Sequence, residues 1–351
     1  MLQLEWFEKE PCSKPLKLPH PSSLLLHPYT TRFTMKKIIF TLFFGLCTLA
    51  AFSQEQAIYS QYHAFPVLIN PGYTGFENQH QFLANYRSTW TSFPEKPSTY
   101  TLMYNGPVGD KLALGGALFS DNAGKVSTTK LQINYAFRFQ VKKVRIGLGL
   151  STEFLNRRAD AALLNDPLVE RNDDVLESLV DGQQIFDASL GAFAIHDDKL
   201  FFGLSFPNTI RTRLDEAPVA GEEATGSNLF QHYIFQMGYK FDNKEQNFKL
   251  IPSITMRRVR DTPYQIDLNI QGRFLDEKLI AGLTFRPGSS GAAVCMLGTK
   301  VSQFQLFYSY DLSLSNFQRY TGGSHELSVA YSFNRKQKLV SATPSAPNPI
   351  K

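Results

Sequence analysis

The chain has 351 residues and a formal charge of +5, but six of its 36 Lys/Arg and three of its 31 Asp/Glu precede residue 54, so the excess beyond that point is +2, too small to imply nucleic-acid binding. Two of the three cysteines, Cys12 and Cys47, also precede residue 54, which leaves Cys295 alone and excludes an internal disulfide or a cysteine-based metal site in the remainder. The seven histidines include no pair at metal-ligand spacing, so neither a metal nor another cofactor is expected.

The first recognisable element is an export signal. Met35-Lys36-Lys37 forms a basic start, Ile38 to Leu49 an apolar run, and Ala51-Phe52-Ser53 a small-residue cleavage site before Gln54. Cleavage is therefore expected after Ser53, and residues 1–34 are expected to be an upstream extension with Met35 the true initiator, which mass spectrometry of the native N-terminus would settle. The apolar run is well short of the roughly 20 residues of a membrane anchor. A lipoprotein signal is disfavoured because bulky Leu46 precedes Cys47. Residues 54–78 are expected to be a periplasmic N-terminal segment. Within it Asn70-Pro71-Gly72-Tyr73 has the composition of a tight turn, read as leading the chain into the first strand or folding it into a lumen, with a structural role weighed above partner contact.

From there the pattern is that of strands. Leu131, Ile133, Tyr135, Phe137 and Phe139 alternate with Lys130, Gln132, Asn134 and Arg138, a period of two. The same beat returns in Val144 to Ser151, Tyr233 to Phe241, Tyr264 to Gln271, Phe304 to Leu312 and Leu327 to Phe333. Counting such segments predicts strands at 79–90, 97–108, 111–120, 126–139, 143–155, 184–195, 198–206, 229–241, 247–257, 262–273, 277–286, 289–299, 302–313 and 323–333. That is about fourteen strands of roughly 9 to 14 residues, the length needed to cross an outer membrane when tilted. Strands of soluble proteins usually run to about 5 or 6 residues.

The predicted links alternate. Short ones are expected at 109–110, 140–142, 197–198, 242–246, 274–276 and 300–301, and longer ones at 91–96, 121–125, 156–183, 207–228, 258–261 and 314–322; the link at 287–288 is brief where a long one is due. Short periplasmic turns and longer external loops are the habit of outer-membrane barrels. The expected fold is therefore an all-β, closed antiparallel transmembrane barrel with both termini in the periplasm and residues 334–351 as a tail. Tyr86, Trp90, Tyr100, Tyr104, Tyr308, Tyr310 and Tyr331 are candidates for aromatic girdles. A soluble β-sandwich would show the same alternation, but strand length and loop phase speak against it.

Some residues suggest chemistry only superficially. Gly147-Leu148-Gly149 lies in a strand and has Thr152 where a dinucleotide loop needs its third glycine. Gly288-Ser289-Ser290-Gly291 is not a nucleophile elbow. The acidic stretch Glu170 to Asp181 lacks the spacing of a calcium loop. No enzyme is expected. Arg87 alternates onto the wet face, where Glu153, Asp187 or Asp267 are candidate partners, since a charge inside a membrane needs water or a counter-charge. His325-Glu326 is read as a polar pairing or recognition element.

Several motifs resemble one family. Tyr59-Ser60-Gln61-Tyr62 followed by Leu68-Ile69-Asn70-Pro71-Gly72-Tyr73-Thr74-Gly75 is similar to the start of mature PorP/SprF proteins. Tyr86-Arg87-Ser88-Thr89-Trp90 with Pro97-Ser98-Thr99-Tyr100, the run Gly115 to Gly124, and Gly323-Ser324-His325-Glu326-Leu327 before the last strand continue the likeness over residues 54–333. Gly72 departs from it, standing where alanine is common, as does the tail. The resemblance implies an integral outer-membrane component of the type IX secretion system of Bacteroidota, supporting secretion or surface attachment of adhesins, gliding motility among its outcomes. It implies as partners outer-membrane lipid, other secretion components, a periplasmic OmpA-like peptidoglycan-binding protein and adhesin cargo. Candidate motif or partner residues are Asn70, Pro71, Tyr73, Gly75, Arg87, Trp90, His325 and Glu326. The rival class is a substrate-specific porin or transporter, to be told apart by whether the lumen is open.

Overall fold

The computed structural model describes residues 59–165, 174–214, 232–258, 264–288, 291–314 and 320–334. The expected signal peptide and upstream extension, the tail after Asn334, residues 170–173 of the acidic stretch and Ser289-Ser290 lie outside the described residues.

The strands are β1 (His80–Ser88), β2 (Ser98–Pro107), β3 (Leu112–Ala123), β4 (Val126–Val141), β5 (Val144–Ala159), β6 (Gln183–His196), β7 (Leu200–Phe206), β8 (Thr212–Arg213), β9 (Tyr233–Tyr239), β10 (Phe241–Asn243), β11 (Phe248–Arg258), β12 (Gln265–Phe274), β13 (Leu279–Arg286), β14 (Ala292–Val301), β15 (Phe304–Ser313) and β16 (Ser324–Phe333). Neighbours pair antiparallel in chain order, β16 returns to β1, and β9 pairs β11, so the sheet closes on itself. Two of these sixteen strands are not separate staves: β10 continues β9 along β11, and β8 is a two-residue strip on β6. The result is a closed barrel of fourteen staves, in which no hydrogen-bonding edge faces hydrocarbon.

Alternation decides which face is which. On β2, Tyr100 and Leu102 point outward, 51% and 61% exposed, while Thr99, Thr101 and Asn105 point inward and are buried. Leu118, Leu283 and Leu297 continue the outward apolar surface, and Asn85, Asn134, Gln271 and Ser309 the inward polar one. A soluble sandwich buries its apolar face; this sheet exposes it and buries the polar one, the arrangement that lipid outside requires. Aromatic side chains form rows across the outer face: Tyr104, Phe82, Tyr331 and Phe304 are successive cross-strand neighbours near the short turns, and Tyr86 pairs with Tyr100 nearer the long links.

Local sequence explains the irregularities. Pro252 lies inside β11 and has no N–H for the ladder; the opposing stave breaks at the same level, between β9 and β10. Pro207 follows β7 and stops it after seven residues. The loop expected at 121–125 is absent. The ladder runs on to Ala123 opposite Val126, and Gly124, with φ +61°, closes a tight turn that few other residues adopt without strain. The expected external loop at 156–183 contains the helix α1 (Asp174–Asp181), packed on β5.

At the short-turn end, Glu277 lies between β12 and β13 and gathers Arg273 at 3.1 Å and Lys249 and Lys300, each at 3.2 Å. Burial alone would raise its pKa, but Arg273, Lys300 and Lys249 outweigh it and bring the carboxyl down to about 2, from 4.5. Because the folded value is the lower one, this stabilisation is complete above pH 4.5 and lost as the pH falls from there towards 2. Thermal unfolding of the detergent-solubilised barrel will therefore separate wild type from Glu277→Gln above pH 4.5, and the gap will close towards pH 2.

Candidate functional site in the barrel lumen

Residues 59–76 lie inside the barrel against its inward-facing side chains, and Glu77 and Asn78 are exposed. Three short 3₁₀ turns, Gln61–His63, Pro66–Leu68 and Pro71–Tyr73, fold the chain compactly, two of them with proline at the first position, where a missing N–H costs nothing. Residues 59–76 are thus packed inside the barrel. Of the two roles read for Asn70 to Tyr73, the fold into the lumen is the one adopted.

At the long-link end the plug meets a buried charge cluster. Arg87 bonds Asp311 at 2.7 Å and Glu326 at 2.8 Å, all three side chains nearly inaccessible. The Ser60 N–H donates to Glu326 at 2.7 Å and its hydroxyl to Asp311 at 2.6 Å, while the Gln61 amide donates to the Glu326 carbonyl at 2.8 Å. Beside it, the Tyr62 hydroxyl donates to Asp267 at 2.6 Å, and Asp267 accepts two hydrogen bonds from Arg286, with Arg257 at 3.6 Å. Three guanidinium groups thus face three carboxylates, all within three residues of the long-link ends of their strands. The balance is what lets charge persist there, because an unpaired buried ion is strongly disfavoured.

The middle of the plug is apolar. Tyr59, Phe65, Val67 and Leu68 pack with the inward-facing Leu83, Met103, Phe119, Ile280, Met296 and Phe307. Phe65 meets Phe307 edge-on at 5.3 Å.

Towards the short turns the plug is held by shape. The Asn70 carboxamide oxygen accepts from the Gly72 N–H at 2.8 Å and its nitrogen donates to the Ala192 carbonyl at 2.9 Å. Pro71 and Gly72 lie directly on Gly147, Gly149 and Gly191 of β5 and β6; a Cβ on Gly149 would come 2.3 Å from Pro71, and one on Gly191 2.2 Å from Asn70. Tyr73 stacks on Phe76 and meets Phe193 edge-on. Gly75, at φ +59°, donates its N–H to Asn105 and accepts from Arg138.

Of the residues singled out from sequence, Asn70, Pro71, Tyr73 and Gly75 come together at this lower anchor, and Arg87 and Glu326 at the upper one. The partners expected for Arg87 were wrong. β1 lies against β16, so Arg87 stands directly opposite Glu326 and bonds Asp311 one strand further on. Glu153 instead pairs with Lys130 at 3.0 Å, Asp187 accepts backbone N–H groups of Ala188 and Arg211, and Asp267 serves Arg286. His325 and Glu326 are not a pair: neighbours in a strand face opposite ways, and His325 lies outside, 2.6 Å from the Tyr308 hydroxyl. Trp90 lies beyond the end of β1 and is 40% exposed. Sequence reading missed Asp311, Arg257 and Arg286. Their shared signal was a charge on the wet face within three residues of a strand end on the long-link side.

A family model described as type IX secretion system membrane protein PorP/SprF matches residues 51–331. No curated protein matches the chain. Among solved structures, the chain is similar to the outer membrane protein Omp33 of Acinetobacter baumannii, with 8% identity, coverage of 73% of this chain and 99% of that one, and a TM-score of 0.44. The monoaromatic hydrocarbon channel CymD gives 12%, 79%, 94% and 0.46, and a FadL homologue of Pseudomonas aeruginosa 11%, 73%, 90% and 0.42. The fold rests on the closed ladder of strands, not on these likenesses.

Proposed function

The chain belongs to the PorP/SprF family of type IX secretion system membrane proteins, and from that premise we propose that it is a plugged, non-enzymatic outer-membrane component that supports secretion or cell-surface attachment of exported proteins such as adhesins. The observation that carries this reading is the occupied lumen: residues 59–76 are bonded to the wall at both ends and packed against it between them. A solute-selective porin needs a clear polar path, and this interior is taken by the protein's own chain.

In this proposal the short turns face the periplasm and the long links the cell surface, so that β1 and β16 place both ends of the barrel domain at the periplasmic rim. Maturation removes the leader after Ser53. An OmpA-like peptidoglycan-binding protein is the proposed periplasmic partner, other secretion components are neighbours in the membrane, and adhesins are the proposed cargo.

Planar-bilayer recording of the purified full-length protein, together with affinity purification from cells exporting adhesins, tests the reading. The expected result is little steady conductance and co-purification of an exported surface protein. A large, steady conductance without such a partner would instead establish the porin.

A further inference from the structure

The plug meets the two halves of the lumen wall differently. Against β1–β3 and β13–β16 it is matched by apolar residues, and at its long-link end by charges and a hydroxyl. Tyr62 is tied to Asp267 on β12 and Asn70 reaches the Leu204 carbonyl on β7 at 3.4 Å, so the chain between them starts and ends beside the wall made by β7, β9, β11 and β12 while Phe65, Val67 and Leu68 turn to the apolar half. Among the described hydrogen bonds, none joins residues 63–69 to that wall.

The wall is nevertheless polar. Ser205, Gln236, Asn269 and Gln271 face inward and are almost wholly buried. Among the described residues, the Ser205 hydroxyl, the Gln236 carboxamide oxygen, both polar atoms of the Asn269 side chain and the Gln271 nitrogen have no hydrogen-bond partner. Cross-strand register makes them one surface: Gln236 stands opposite Thr255, Asn269 opposite Ser253 and Gln271 opposite Ile251. A buried polar group without a partner is costly, so the plugged state covers this wall without satisfying it.

We infer that the wall of β7, β9, β11 and β12 is a binding surface for an extended polypeptide chain, which takes the place of plug residues 63–69 while Asn70 to Gly75 stays anchored. The chemistry selects such a ligand. The free groups are neutral, the Gln236 oxygen as acceptor, the Gln271 nitrogen as donor, and Asn269 and the Ser205 hydroxyl as both, a mixture that suits peptide groups and not an ion. Asn269 and Gln271 are two residues apart on one strand, about 6.6 Å; an extended chain presents peptide groups on one side at that same interval. The lower anchor can stay because it is held by close steric fit to the glycines of β5 and β6, two staves that adjoin the wall at β7 but carry none of its unsatisfied groups. This inference rests on the proposed role in protein export and names the surface that an exported chain touches.

The test is site-specific photocrosslinking in the full-length protein in cells exporting adhesins, with a photoreactive residue at Asn269 or Gln271 and lipid-facing controls at Leu268 and Ile270. An adduct between positions 269 or 271 and an exported polypeptide, absent at 268 and 270, is expected. Adducts from 269 and 271 to the protein's own residues 63–69 alone would overturn the inference; co-purification of cargo in the same cells would show that the export role survives without it. Hydrogen exchange on the unsubstituted protein gives a second reading free of any folding defect: amides of 63–69 will exchange faster than those of 70–75, and equal protection of both would overturn displacement.

Discussion

Arg87→Ala will be among the most damaging single substitutions in this barrel. It leaves Asp311 and Glu326 buried side by side with no counter-charge, and takes from the Ser60 hydroxyl one of its contacts. Breaking a buried pair by removing one partner costs about 3–5 kcal/mol, more than the pair itself contributes, because the remaining ions stay desolvated. The expected readout is a lower unfolding temperature in detergent and protease sensitivity of the segment around Tyr59. The cause is separable from lost volume. Combining Arg87→Leu with Asp311→Asn and Glu326→Gln removes charge on both sides, and will recover most of the stability that Arg87→Ala loses. If the triple variant is no more stable than the single one, charge is not what holds this end together.

That cluster also marks where sequence reading stops. The barrel itself was legible: fourteen segments with a two-residue period fall on the fourteen staves, and β16 ends at Phe333 as expected. This succeeds because lipid on one side and a polar interior on the other write the fold into every second residue. The turn at Asn70-Pro71-Gly72 was legible as a turn because its residues are chosen for local backbone reasons. Its destination was not, since the groove that receives it is made by Gly147, Gly149 and Gly191, and an absent side chain leaves no sign of what lies against it. Partners around the ring were harder still. Arg87 and Asp311 are far apart in sequence and meet only because the last strands close on the first, so a list of lumen acids held the right kind of residue but the wrong members.

The same glycines supply the sharpest test of the plug. Valine at Gly149 will dislodge the lower anchor while sparing the barrel. Its Cβ alone would fall 2.3 Å from the carbonyl carbon and oxygen of Pro71 and 2.5 Å from the Gly72 nitrogen, distances that no rotamer relieves. The wall cannot yield, because β5 is paired along its length with both β4 and β6. The plug has to move, and overpacking of this kind costs about 1–3 kcal/mol. The substitution is set against Gly116→Val on β3, where the nearest atom to an added Cβ is 3.9 Å away, on the lipid-facing side. Both variants will fold, by heat-modifiable migration on a gel. Only Gly149→Val will show frequent channel openings in planar bilayers and cleavage near Asn70 by added protease. Silence in both variants would mean that the lumen stays closed without the anchor, and that the close fit of Pro71 to the glycine track is not what blocks it.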